Sequence, residues 1–228
     1  VIGPELFAMN TRDLLEAGHL IEPIILPVKS PANLDFDRFM RRGRLNMGAA
    51  VTALCEHQKR TKLILDMAHL GAFHGRTVLI LVPRKAYAHQ LADSLNKRGV
   101  SSVALTSSVG KRERDAALDS MRKQKISCAI ATQLADEGLD VPALDMLILA
   151  STGRAAGRAV QRVGRVLRKH ENKQTPLVVE LIDSGPFFSQ WNARKKVYFD
   201  ELGVSIEDTV YHMQAIDELK KIFEKDRG

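Results

Sequence analysis

From Thr77 to Ile182, short apolar runs alternate with longer stretches in which apolar residues return every three or four positions. The runs Val78 to Val82, Ser102 to Leu105, Ser127 to Ala131, Met146 to Ala150 and Leu177 to Ile182 are too short for helices and predominantly apolar, so they predict strands buried on both faces. The stretches between them predict helices at Lys85 to Lys97, closed by Gly99, at Gly110 to Lys123, and at Ala156 to Lys169. This alternation predicts an α/β fold, a parallel sheet with helices on both faces.

The flanks read less regularly. Thr11 to Gly18 predicts a short helix, and Leu20 to Val28 an extended connector bracketed by Pro23 and Pro27 and ending in a strand. Leu34 to Gly75 carries Phe36, Phe39 and Met40, then Val51, Leu54, Leu63, Leu65, Met67 and Leu70, which predicts two helices broken near Gly43 to Gly48. After the Gly185-Pro186 turn, Gln190 to Leu202 predicts a basic helix bearing Trp191, Arg194, Lys195 and Lys196, and Ile206 to Lys225 a further helix. Trp191 reads as a core or interface anchor rather than a base-stacking platform. The chain shows no internal repeat and no low-complexity linker.

A length of 228 residues suits one large domain, or one domain with an appendage, and a 45% hydrophobic content supplies an ordinary core. No apolar run reaches the ~18 residues of a membrane span, so no membrane partner is expected. Lys and Arg number 34 against 27 Asp and Glu, a net charge of +7, which points to an anionic partner such as nucleic acid. Cys55 and Cys128 supply neither a zinc cluster nor a disulfide framework, and no metal site is expected on this chain. They read as buried thiols in a reducing, cytoplasmic setting. Val1 to Leu26 lacks the basic and apolar regions of a secretory leader, and the start at Val1 without Met suggests a piece of a longer protein.

The chemistry concentrates in two segments. On a helix, Arg158, Gln161, Arg162, Arg165 and Arg168 share one side while Ala159, Val160, Val163, Val166 and Leu167 share the other. A solvated face needs charge of either sign, yet this one carries arginine forks suited to phosphate oxygens, with Gly164 allowing close backbone approach. Upstream, Ala131 to Pro142 follows a predicted strand and mixes hydroxyl, amide, carboxylate and glycine; Gly138 permits backbone approach and Asp140 can accept hydrogen bonds from a ribose. Polar residues also follow other strands, at Pro83-Arg84, Thr106 to Ser108 and Thr132 to Asp140, the carboxyl ends where parallel sheets bind ligands.

Together these residues resemble the C-terminal RecA-like motor domain of superfamily 2 helicases and translocases. Gln161 to Arg168 matches the Q-R-x-G-R-x-x-R pattern of motif VI, the loop resembles motif V, Val78 to Arg84 resembles motif IV, and Arg114 to Met121 resembles the arginine-bearing helix before motif V. Gly164 to Arg168 and Arg194 to Tyr198 look most like the DNA-directed branch containing phage UvsW and the XPB proteins. The sequence departs from the pattern in placing Ser107-Ser108 where His-Gly often follows the second strand, and Glu137 where arginine is frequent.

The resemblance implies residues 1–30 as a linker from an N-terminal motor domain, 31–203 as the RecA-like domain and 204–228 as a helical extension. It implies Arg165 and Arg168 as arginine fingers on the γ-phosphate of ATP, Gln161 beside the same phosphate, and Gly138 and Asp140 near the ribose. Thr132, Arg84, Thr106 and Arg162 would contact nucleic acid, with DNA expected. ATP and Mg2+ would be held mainly by the N-terminal RecA-like domain, because this chain has no G-x-x-x-x-G-K-[S/T] loop and no D-E-x-[H/D] segment. Alone it would not hydrolyse ATP; within a longer protein it would serve an ATP-dependent helicase. The rival readings are a non-catalytic nucleic-acid-binding or partner-docking module on the same fold, and a dinucleotide-binding enzyme, the latter disfavoured because no G-x-G-x-x-G follows Val78.

Overall fold

The computed structural model of the chain describes residues 21–132, 144–150, 174–206 and 208–226. Five central strands follow the apolar runs closely: β4 (Val78–Val82), β5 (Ser102–Leu105), β6 (Cys128–Thr132), β7 (Met146–Leu149) and β8 (Leu177–Ile182). With β1 (Ile24–Lys29) and β9 (Val210–Tyr211) they form a seven-stranded sheet in the order β5-β6-β4-β7-β8-β1-β9, in which every recorded pairing is parallel. Among the described residues six helices cover it: α1 (Met47–Glu56), α2 (Gln58–Phe73), α3 (Lys85–Lys97), α4 (Lys111–Arg122), α5 (Phe188–Leu202) and α6 (Ala215–Lys225).

The two-residue period of the strands sorts the core into two layers. Val78, Ile80 and Val82 pack with Ile64 and Met67 of α2, Leu91 and Leu95 of α3, and Leu219 and Phe223 of α6. Leu79 and Leu81 turn the other way, toward Leu118 and Met121 of α4 and Trp191, Tyr198 and Leu202 of α5. Trp191 is therefore a core anchor. Gly71 of α2 sits where the helix crosses the sheet, and a Cβ there would lie 2.5 Å from the Met146 sulfur, so any larger residue would require the Met146 side chain to shift.

Two stretches differ from the pattern-based expectation. Leu34 to Gly75 holds more than two helices: a 3₁₀ turn (Phe36–Phe39) is followed by a hairpin of β2 (Met40–Arg41) and β3 (Arg44–Leu45), and only then by α1 and α2. The apolar spacing of Phe36, Phe39 and Met40 imitates a helix, but Arg42 at φ 50° and Gly43 at φ 72° reverse the chain. The break between α1 and α2 falls at His57, whose Nδ1 accepts the Arg60 amide at 3.3 Å. Likewise Ile206 to Lys225 is not one helix, because Val210 and Tyr211 pair with the otherwise open edge of β1 before α6 begins at Ala215. The predicted helices at Thr11 to Gly18 and Ala156 to Lys169 lie outside the described residues.

These pairings draw both flanks into the sheet. β1, in the stretch read as a linker, is held between β8 and β9. At the far end Arg76 ties strand and tail together, bonding the Asp226 carboxylate after α6 and the Thr175 carbonyl (2.9 Å) before β8.

Both cysteines are buried free thiols, and burial pushes Cys55 up to about 11 against the pull of the Arg60 and Arg84 charges, and raises Cys128 as well. At pH 8 a disulfide reagent should therefore label neither thiol in the folded chain and both in guanidinium. As the pH climbs from about 9 to about 11, the unfolded chain gives up a Cys55 proton that the folded chain keeps, so stability should fall across that window.

Candidate nucleotide and nucleic-acid edge

The carboxyl ends of the strands lie along one edge of the sheet. Thr132 ends β6 opposite Val82 of β4, and Ala150 follows β7 on the other side of β4. The chain runs from β4 out to the edge strand β5, returns through β6, and crosses to β7, so β4 marks the point where the direction of winding reverses. Crevices at such reversals are the habitual ligand sites of open parallel sheets. Residues 133–143 depart from β6 and residues 151–173 follow β7, so both chemically loaded segments leave from strands that flank β4. Gly138, Asp140, Gln161, Arg162, Arg165 and Arg168 all belong to these segments and lie outside the described residues.

The described candidates differ in accessibility. Arg84, just past β4 at the start of α3, is exposed and donates from Nη2 to the Gly48 carbonyl at 2.9 Å. Thr106, after β5, is fully buried, and its hydroxyl lies 2.6 Å from that of Ser108. It steadies the exposed Ser107-Ser108 turn rather than presenting its own oxygen. Thr132 is 6% exposed, and its Oγ1 is buried with no hydrogen-bond partner among the described residues. A buried hydroxyl left without a partner costs on the order of 1–3 kcal/mol, so this oxygen at the sheet's carboxyl edge is a group awaiting a ligand or a neighbouring loop. Arg114, at the start of α4, folds back to the Val109 carbonyl at 3.4 Å.

One fixture of this edge escaped the sequence pattern. Arg60 of α2 is buried and forms a two-pronged pair with Asp183, Nε and Nη2 each 2.9 Å from a carboxylate oxygen, while Nη2 also donates to the Ala150 carbonyl at 2.9 Å. Burial works against the Arg60 charge, but the Asp183 carboxylate outweighs it and leaves the guanidinium more firmly protonated than usual. The pair thus clamps the residue from which segment 151–173 sets out. Its sequence signal was only an arginine among the apolar positions of a predicted helix and an aspartate at a strand end, 123 residues apart. Among the described residues no three His, Cys, Asp or Glu side chains gather as a metal would require.

The reversal at β4, the loaded segments on either side of it and the two covered faces define a RecA-like α/β domain. Residues 59–170 match the helicase conserved C-terminal domain, and the chain carries a C-terminal domain of the superfamily 2 helicase type. The ATP-dependent rRNA helicase RRP3 of Candida glabrata is 32% identical over 114 residues, covering 50% of this chain and 23% of RRP3. Among solved structures, Saccharomyces cerevisiae Dbp5 L327V bound to RNA and ADP BeF3 superposes with a TM-score of 0.67 at 17% identity, over 97% of this chain and 49% of that one. A fragment assigned to the HsdR subunit of a type I restriction enzyme from Vibrio vulnificus does so at 0.64 and 20% identity, over 90% of this chain and 39% of that one. The chain thus spans under a third of its curated relative and at most about half of these structures.

Proposed function

We propose that this chain is the C-terminal motor half of an ATP-dependent nucleic-acid helicase or translocase, closing on an N-terminal RecA-like domain of the same protein when ATP and nucleic acid bind. The observation that carries the reading is the placement of the two loaded segments on the strands flanking β4, at the edge where an open parallel sheet receives a ligand. The donor set suits a nucleoside triphosphate: arginine forks and an amide for phosphate oxygens, and a carboxylate for a ribose. Arg165, Arg168 and Gln161 would face the γ-phosphate, Gly138 and Asp140 the ribose. Mg2+ falls to the N-terminal domain, since the sequence here holds no D-E-x-[H/D] segment.

For nucleic acid, Arg84 offers an exposed guanidinium, Thr132 an unpartnered hydroxyl, and Arg162 a further guanidinium in the motif VI-like pattern. Thr106 serves through Ser108 rather than directly. DNA is the polymer we assign, on the likeness of Gly164 to Arg168 and Arg194 to Tyr198 to the DNA-directed branch. RNA is the second reading, favoured by the 32% identity to a protein named an rRNA helicase. The polypeptide containing both motor halves should hydrolyse ATP slowly alone and at least about 10-fold faster with saturating DNA. Stimulation by RNA alone would select the second reading, and ATPase unmoved by any nucleic acid would remove the motor.

A further inference from the structure

The hairpin of β2 and β3 is built in a way its own folding does not ask for. Arg41 and Arg44 stand directly opposite each other across the two strands, an arrangement in which like charges repel. Arg42 occupies a left-handed turn position, φ 50°, where Asn, Asp or Gly is the favoured choice. Arg38 lies just before the hairpin, and from Arg38 to Cys55 these four arginines meet no acidic residue in the sequence. All four are exposed, and none forms an ion pair among the described residues. Asp35 and Asp37, the nearest acids, lie in the 3₁₀ turn at the root, where the Asp35 carboxylate accepts the Asp37 amide.

The root, by contrast, is pinned. Phe36 packs on Phe187 with ring centres 6.0 Å apart, the Asn46 amide bonds the Phe39 carbonyl at 2.9 Å, and the Asn46 side chain caps α1 through the Ala49 amide at 3.1 Å. At the tip there is open space, since a Cβ on Gly43 would meet no atom of the described residues within 4 Å. A fixed base with an exposed, arginine-rich tip means that local stability has been given up at positions doing something else.

The hairpin also stands at the edge already described. Ser30, just past β1, bonds the Ile182 carbonyl, Phe36 lies against Phe187 beyond the end of β8, and Gly48, three residues beyond β3, accepts a hydrogen bond from Arg84. The Arg84 guanidinium and the hairpin arginines thus border the same end of the sheet.

We propose that Arg41, Arg42 and Arg44, with Arg38 behind them, grip the phosphate backbone of the nucleic acid that runs along this edge, extending the contact beyond Arg84. Guanidinium forks meet phosphate oxygens two at a time and are cheaper to desolvate than ammonium groups. The positive field repelling Arg41 from Arg44 becomes favourable once a polyanion lies between them. The inference rests on the nucleic-acid reading of this edge but assigns a separate contact, outside every helicase-like motif in the sequence.

The test compares the full chain with the triple variant R41A/R42A/R44A and with a charge-matched control, K97Q/K123Q/K125Q, which removes three exposed lysines from the opposite end of α3 and α4. The probes are fluorescein-labelled DNA and RNA of about 20 nucleotides, single- and double-stranded, read by anisotropy across a salt series. The hairpin variant should bind on the order of 10- to 100-fold more weakly at about 0.1 M salt, with a salt slope reduced by about 2 to 3; the control should lose less than about 3-fold. The Arg-to-Lys triple should keep the slope and recover part of the affinity. Thermal melting separates binding from folding: losing the opposed arginines should leave the melting temperature unchanged or raised. Equal losses in hairpin and control variants would overturn the hairpin contact while leaving the motor reading intact. An unmutated chain that binds none of the probes would overturn the nucleic-acid reading itself.

Discussion

Replacing Arg194 by leucine should destabilise the chain by about 3–5 kcal/mol, and replacing Glu180 by leucine in the same molecule should restore most of the loss. Glu180 is fully buried in the middle of β8, beneath α5. Its carboxylate accepts Arg194 Nε at 2.9 and 3.2 Å, Arg194 Nη2 at 2.9 Å and the Tyr198 hydroxyl at 2.6 Å. Burial opposes the Arg194 charge, but the facing Glu180 prevails and holds the guanidinium protonated throughout the accessible pH range. Removing the arginine strands a carboxylate in the core, whereas removing both leaves an apolar contact that costs little. Urea unfolding of the single and double variants reads both numbers. A loss below about 1 kcal/mol for Arg194→Leu would mean that Arg194 belongs to an exposed basic face.

That arginine shows where the sequence misleads. Beside Lys195 and Lys196 it reads as one of the cations of a basic helix, and its partner lies 14 residues upstream inside a run of otherwise apolar strand residues. Only the fold brings them together. The strands themselves were legible because Val78 to Val82 and Leu177 to Ile182 are buried on both faces, and runs that are apolar at all or all but one position survive any choice of neighbour. α3 was legible because its apolar face and the following Gly99 agree on both period and end. Elements of two residues were not. β2, β3 and β9 carry too few positions to establish a period, and the helix-like spacing of Phe36, Phe39 and Met40 arose from a 3₁₀ turn abutting a strand. Of the candidate site, the sequence picked out Arg84 and Thr132 at strand ends. The Arg60–Asp183 clamp was hidden because its halves are distant in the chain and conform to no motif.

The clamp bears on the chemistry proposed for residues 151–173, because it fixes the Ala150 carbonyl from which that segment continues. Phosphoryl transfer leaves the protein little covalent work; rate comes from placing groups and neutralising charge on the transferred phosphate, and an arginine finger is worth roughly 10³ to 10⁵ in turnover. In a polypeptide that joins this chain to the proposed N-terminal motor domain, Arg165→Ala should therefore lower kcat for ATP about 10³-fold. Arg165→Lys should recover little, since an ammonium lacks the guanidinium fork. Nucleic-acid affinity should stay within a few-fold, because the residue is assigned to nucleotide rather than to backbone phosphate. The most direct test is the steady-state ATP turnover of Arg165→Ala, measured beside its nucleic-acid affinity. A fall of about 10³ in turnover with affinity retained is the expected result; near-normal turnover, or equal losses of both, would contradict the assignment of this chain as the finger-bearing half of a motor.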